Sequence, residues 1–196
     1  MTGLPRSFFA RDAVVVARAL VGCRLVVGSR VGLIVETEAY RGPKDLACHA
    51  RVGLTKRTRT LFGAPGHAYV FLIYGMHDCM NVVCKAEGSG HAVLLRAVEP
   101  LAGFAEPVRG DGPGRLAKIM QIARTHDGTD CCGEGPVTFL PRHRRPTVGV
   151  SARVGVGYAG PWALRPWRFF DAESAHVSRP AAKTIGLGAE VTAKPR

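Results

Sequence analysis

The chain has 196 residues, 27 Lys and Arg against 15 Asp and Glu, and a formal net charge of +12. With 46% hydrophobic and only 21% charged residues, it holds enough apolar material for a core, which excludes a disordered basic tail and suits one domain. Such a charge on a folded domain points to a polyanionic partner, nucleic acid first and an anionic membrane surface second.

The start, Met1-Thr2-Gly3-Leu4-Pro5-Arg6, lacks the charged-then-apolar pattern of a signal peptide. Ala13 to Val27 is too short to span a bilayer and is broken by Arg18 and Arg24. An intracellular protein is expected, in the cytoplasm or nucleoid of a bacterium or the nucleus of a eukaryote. Asp12 is placed to cap a helix running to about Leu20, with Gly22 as its stop. Cys23 to Val27 and Val31 to Tyr40 read as two strands joined by Gly28-Ser29-Arg30, a hairpin. Arg41 to Gly66 has no clear apolar period and reads as a long basic loop with one helical turn; long loops inside compact domains are often functional. Tyr69 to Tyr74 and Cys79 to Cys84 read as a second hairpin turning through Gly75-Met76-His77-Asp78. His91 to Glu99 is an apolar strand that Pro100 should end. Leu116, Ile119, Met120 and Ala123 have helical spacing after Pro113. Thr125 to Gly135 is a polar loop. Val137 to Leu140, Thr147 to Val156 and Trp167 to Phe170 read as later strands.

Strands outnumber helices and short turns join them. The expected fold is α+β: a single domain over residues 1–180, a mainly antiparallel curved sheet with peripheral helices and a protruding β-hairpin, then a disordered tail over 181–196. The six cysteines form no C-x-x-C pair, and adjacent Cys131 and Cys132 chelate poorly, so reduced, mostly buried thiols and no metal are expected.

Four features depart from plain structural use. In Ile34-Val35-Glu36-Thr37-Glu38-Ala39-Tyr40, strict alternation puts Ile34, Glu36, Glu38 and Tyr40 on one face, the two carboxylates about 7 Å apart. Strand glutamates ordinarily face water, but the flanking Ile34, Val35 and Ala39 argue for burial of one face, and a carboxylate beside a buried pocket is material for a general base. Tyr74 and Met76 put apolar bulk at a hairpin tip where polar residues are usual. Such a tip can lie under another loop, or can enter a base stack as a wedge. Arg96 stands alone in Val93-Leu94-Leu95-Arg96-Ala97-Val98, on the face of Leu94 and Val98 by alternation, and needs Glu38 or Glu36 as partner if it is buried. Finally Arg51, Lys56, Arg57 and Arg59, with Arg142-His143-Arg144-Arg145, suit phosphate contacts.

In order along the chain, Val35-Glu36-Thr37-Glu38-Ala39-Tyr40, His49, Tyr69 to Met76, Cys79-Met80-Asn81, Leu94 to Pro100, Gly112-Pro113 and Arg153-Val154-Gly155-Val156 with Tyr158-Ala159-Gly160 resemble the alkyladenine (3-methyladenine, N-methylpurine) DNA glycosylase family. The resemblance runs from about residue 8 to 170. It implies a monofunctional base-excision repair enzyme, without cofactor and monomeric, that binds duplex DNA containing damaged purines and no membrane. It would flip out an alkylated or deaminated purine and hydrolyse the N-glycosidic bond. By the family's pattern Glu38 is the general base, and Arg96 and the main-chain carbonyl of Val154 hold the attacking water. Tyr40, His49 and Phe71 enclose the flipped base, Asn81 crowds the amine of normal guanine, and Tyr74 intercalates. Arg96 is expected to hold the Glu38 carboxyl in its ionised form. Phe71 stands where some members carry Tyr, and His77-Asp78 where an aromatic pair can occur; both bear on the damage spectrum. The alternative is a duplex-DNA-binding domain that keeps the fold without catalysis.

Overall fold

The computed structural model of the chain describes residues 2–179 and 186–187. The tail expected over 181–196 therefore lies outside the described residues, apart from a two-residue strand at Gly186–Leu187. Among the described residues, ten strands form one sheet in which every pair is antiparallel. It is a curled, half-barrel sheet, so the α+β expectation holds.

The sheet is organised around β2 (Arg30–Arg41) and β5 (His91–Ala102). The first part of β2 also pairs with β1 (Arg24–Val27), which carries β7 (Val137–Leu140) on its other side. Its second part pairs with β9 (Arg168–Asp171), which carries β8 (Val148–Ser151) and then β10 (Gly186–Leu187). Beyond β5 come β4 (His77–Cys84) and β3 (Ala68–Ile73), the protruding hairpin, and β6 (Gly110–Asp111) pairs with the outgoing half of β5.

Among the described residues three α-helices are peripheral. A single turn, α1 (Arg6–Phe9), was not foreseen in the sequence. In α2 (Ala13–Leu20), Asp12 accepts the Val14 N–H at 3.0 Å, and Ala13, Val16, Ala17 and Leu20 are buried against the sheet. Pro113 opens α3 (Pro113–Met120), and Leu116, Ala117 and Met120 form its buried stripe; Gln121 caps it in a left-handed conformation, so Ala123 lies outside the helix. The main core gathers α2, α3 and the inward face of the strands, with Phe9, Phe139 and Phe169 fully buried.

Four strand expectations need correction. β5 continues through Pro100, because a register shift there sets Gly32 against Pro100 and Val31 against Ala102, leaving Leu101 unpaired; an irregularity tolerates a residue with no N–H. The hairpin turn comes earlier than expected: Met76 N–H donates to the Ile73 carbonyl at 3.1 Å, so His77 and Asp78 belong to β4. The strand expected over Thr147 to Val156 stops at Ser151. Strict alternation also fails in the middle of the sheet. Ile34 pairs with Val98, Glu36 with Ala97, and Thr37 with Leu95, so Val35 and Arg96 each stand as an extra residue without a register partner. These facing bulges shift the phase of both strands. Ile34 and Val98 therefore point into the main core, while Glu36, Glu38 and Arg96 meet on the other face.

His91, 6% exposed, opens β5 with its Nδ1 3.9 Å from an Asp12 carboxylate oxygen. Burial, with Lys85 adding to it, pushes the imidazole down from its ordinary 6.5 to about 4. The unfolded chain binds a proton in that window and the folded chain does not. Stability is therefore full above about pH 6.5 and falls toward pH 4, by at most about 3 kcal/mol. His91→Gln should flatten the urea midpoint against pH over this window; an unchanged slope would assign the acid sensitivity to other groups.

Candidate active site

A cavity of about 640 Å³ opens on the face of the sheet opposite α2, within the size range of small-molecule sites. Its walls come from β2, β3, β4, β5, the 47–61 loop and residues 154–158. Tyr40, His49, Phe71, Asn81, Arg96 and Val154, each singled out in the sequence, all line it, and Tyr74 stands on its rim.

The aromatic wall follows from strand alternation, which sends Tyr69 and Phe71 of β3 to the same side. Their rings lie 5.6 Å apart, and His49 from the 3₁₀ turn His49–Val52 packs edge-on to Phe71 at 4.5 Å. His49 Nδ1 lies 3.1 Å from the Tyr69 hydroxyl. Burial, then Arg57 and Arg51, push the His49 imidazole below its ordinary pKa, so the ring is neutral at pH 7. Asn81 donates from its amide to the Tyr69 carbonyl at 3.2 Å, which fixes it against this wall. Burial raises the Cys48 and Cys79 thiols to about 11, and they line the cavity as neutral thiols. All six cysteines are free and five are buried.

Glu38 sits under the floor, fully buried. It accepts the Tyr40 hydroxyl at 2.8 Å and the Val154 N–H at 2.7 Å, and Arg96 Nη1 lies 3.5 Å away. Those three neighbours all face the cavity. The Val154 N–H is thus engaged by Glu38, and the expected strand gives way here to a turn in which Gly155 takes φ +75°. Arg96 does lower the Glu38 pKa, as do Val154 and Tyr40, but burial outweighs them and the carboxyl lies above its ordinary value. Burial and the adjacent Glu38 push the Tyr40 phenol well above 10, so it remains a donor to Glu38.

Two buried ion networks hold this floor. Arg96 and Arg168 both bind Glu36, at 3.0 and 2.6 Å. Arg153 makes a two-pronged pair with Asp45, at 2.6 and 2.9 Å, and its guanidinium lies over the Tyr40 ring at 4.8 Å. Neither Arg168 nor the Arg153–Asp45 pair was singled out in the sequence. Arg168, lone and basic in Trp167-Arg168-Phe169-Phe170, carries the same signal that drew attention to Arg96.

Exposure sorts the remaining residues. Tyr74 is 81% and Met76 72% exposed, so among the described residues no loop covers the hairpin tip. Tyr74 (φ +51°) and Gly75 (φ +69°) occupy the centre of a tight turn. Left-handed backbone suits glycine but costs a bulky residue about 1–2 kcal/mol, and such strain concentrates at functional sites. Arg51, Arg57 and Arg59 are exposed on the 51–60 loop. Arg57 lines the cavity, Arg51 lies over the Tyr158 ring at 5.5 Å, and Arg59 is outside the lining. Arg142 and Arg144 also hold the fold: Arg142 donates to the last carbonyls of α2, at Arg18 and Ala19, and Arg144 pairs with buried Asp171. Among the described residues no group of three or more His, Cys, Asp or Glu could hold a metal ion.

A family model described as methylpurine-DNA glycosylase matches residues 7–175. A protein of Myxococcus xanthus, provisionally named a 3-methyladenine DNA glycosylase, is 53% identical over 91% of this chain and 95% of its own length. Proteins with the same provisional name from Anaeromyxobacter dehalogenans and Methanocella arvoryzae are 52% and 45% identical, over 91% and 94% of this chain and 87% and 100% of their own lengths. The match spans every wall of the cavity, and the chain belongs to the methylpurine-DNA glycosylase family.

Proposed function

We propose that this DNA glycosylase draws an alkylated or deaminated purine of the 3-methyladenine, 7-methylguanine, hypoxanthine and ethenoadenine class out of duplex DNA into the cavity and hydrolyses its N-glycosidic bond. One observation carries the reading: a buried carboxylate, Glu38, whose three polar neighbours all face a cavity walled by aromatic rings. Ionised Glu38 takes a proton from water. The water oxygen bonds to C1′ of the sugar, and the electrons of the C1′–N bond leave with the base. A cationic alkylated base departs neutral and needs no acid, whereas a neutral base such as hypoxanthine must also gain a proton from an acid as it leaves. The positive charge that develops on the sugar is stabilised by the carboxylate. A Glu38 pKa above the ordinary range makes the carboxylate a stronger base, and activity is lost as pH falls through that raised value. The described cavity lining includes no lysine, so no amine stands ready for a Schiff base and a lyase step.

Extrusion of a nucleotide costs a few kcal/mol. In this reading exposed Tyr74 fills the gap, with Met76 beside it, and Arg51, Arg57 and Arg59 meet phosphates. Tyr40, His49 and Phe71 enclose the purine, a stacked face being worth about 1–3 kcal/mol. Asn81 opposes guanine's exocyclic amine. The monomer acts alone and without cofactor. A panel of duplexes, each with one lesion, assayed for free base and abasic sites, tests the substrate class. Tyr74→Ala should slow release from paired lesions by about 5- to 100-fold, and much less from lesions already unpaired. Equal losses on both substrates would remove the wedge role.

A further inference from the structure

Glu36 is as deeply buried as Glu38 and likewise lies outside the cavity lining, but its neighbours differ. Three distant parts of the chain converge on it. Arg96 Nε of β5 and Arg168 Nε of β9 donate to Oε1 at 3.0 and 2.6 Å, the Ser178 hydroxyl donates to the same oxygen at 3.0 Å, and the Ser178 N–H donates to Oε2 at 2.7 Å. Ser178 also accepts: its hydroxyl from Arg96 Nη2 and its carbonyl from Arg168 Nη2, both at 3.1 Å. Arg96 therefore has Nε and Nη2 held and only Nη1 directed at Glu38, 3.5 Å away. Ser178 is 2% exposed and follows the last residue matched by the family model, 175.

We infer that Glu36, Arg168 and Ser178 are positioning residues that clamp Arg96 and leave its charge available to Glu38. The clamp touches neither substrate nor the cavity, and it deepens the reading of Glu38 as base, on which it rests. The charge count gives the reason. Two buried carboxylates, Glu36 and Glu38, face two guanidiniums, Arg96 and Arg168. Without Arg168, one cation serves two anions, and Arg96 is already nearer to Glu36. The other groups acting on Glu38 are Tyr40 on its own strand, the Val154 N–H and the charge of Arg153; these stay in place when Arg168 is replaced. Losing Arg168 thus weakens the ionised form of Glu38 without altering the cavity wall.

The test is the pH dependence of single-turnover base release from a duplex carrying one hypoxanthine. Arg168→Gln should move the midpoint of the acid limb up by about one unit, slow release at pH 7 by several-fold, and leave lesion-duplex affinity within about twofold. Glu36→Gln/Arg168→Gln removes both charges together and should return the midpoint to the wild-type value. Ser178→Ala should slow release at unchanged affinity, with Ser178→Thr restoring it. A folded Arg168→Gln with the wild-type midpoint, or a double variant shifted as far as the single one, overturns the inference. Should Arg168→Gln fail to fold, the double variant and the Ser178 pair carry the same test: wild-type release from Ser178→Ala refutes the clamp. Wild-type release by Glu38→Gln would instead remove the underlying reading of the base.

Discussion

Glu38→Gln should retain binding to a lesion-bearing duplex and lose base release, by about 10²- to 10⁴-fold in single-turnover rate. Glutamine has the same shape, so the cavity that Tyr40, Arg96 and Val154 line is preserved. It cannot take a proton from water. Its amide also has one acceptor oxygen where the carboxylate uses two, for the Tyr40 hydroxyl and the Val154 N–H, so a few-fold change in affinity accompanies the loss. The wild-type acid limb should lie above the range of an ordinary carboxylate, because burial is the largest influence on Glu38 and acts upward. Full activity in the variant would move attention to Glu36, whose oxygens are already occupied by Arg96, Arg168 and Ser178.

Arg153→Met should cost the fold about 3–5 kcal/mol, because it leaves the fully buried carboxylate of Asp45 without its cation. Asp45 also accepts the N–H groups of Arg41 and Ala47, and so fixes the loop that leads to Cys48 and His49. Arg153 additionally donates to the carbonyls of Ala39 and Trp162 and lies over the rings of Tyr40 and Trp167. The loss is read from the urea midpoint. In Asp45→Asn/Arg153→Met both charges are gone, and part of the loss should return. A double variant as unstable as the sum of the two single ones would mean that the pair contributes nothing as a pair.

The sequence was readable where local rules act alone. Asp12 before an apolar helical stripe, Pro113 at a helix start and the β3–β4 hairpin are of this kind, and the structure contains each. The clustering of Glu38, Arg96, Tyr40 and Val154 beside one cavity was legible through the family resemblance. What escaped depends on the sheet as a whole. Alternation places Ile34 with Glu36, and Val98 with Arg96, until the facing bulges at Val35 and Arg96 shift both strands; no local residue signals a bulge that needs its partner strand. The outcome of competing electrostatic effects at Glu38 was equally hidden, since Arg96 was visible and the depth of burial was not. Ser178 could not be linked to Glu36 from spacing, because 142 residues separate them. Basic clusters also looked alike in sequence, although Arg57 lines the cavity and Arg142 caps a helix.

The central claim is that an activated water, and no protein amine, severs the bond between the extruded base and its sugar. Incubating the wild-type protein in ¹⁸O-labelled water with a duplex carrying one hypoxanthine, with borohydride added to a parallel sample, addresses it directly. Free hypoxanthine, ¹⁸O at C1′ of the abasic product and no trapped protein–DNA adduct are the expected results. Tight binding with no base released from any lesion would leave a DNA-binding domain without catalysis, and a borohydride-trapped adduct would contradict the hydrolytic route.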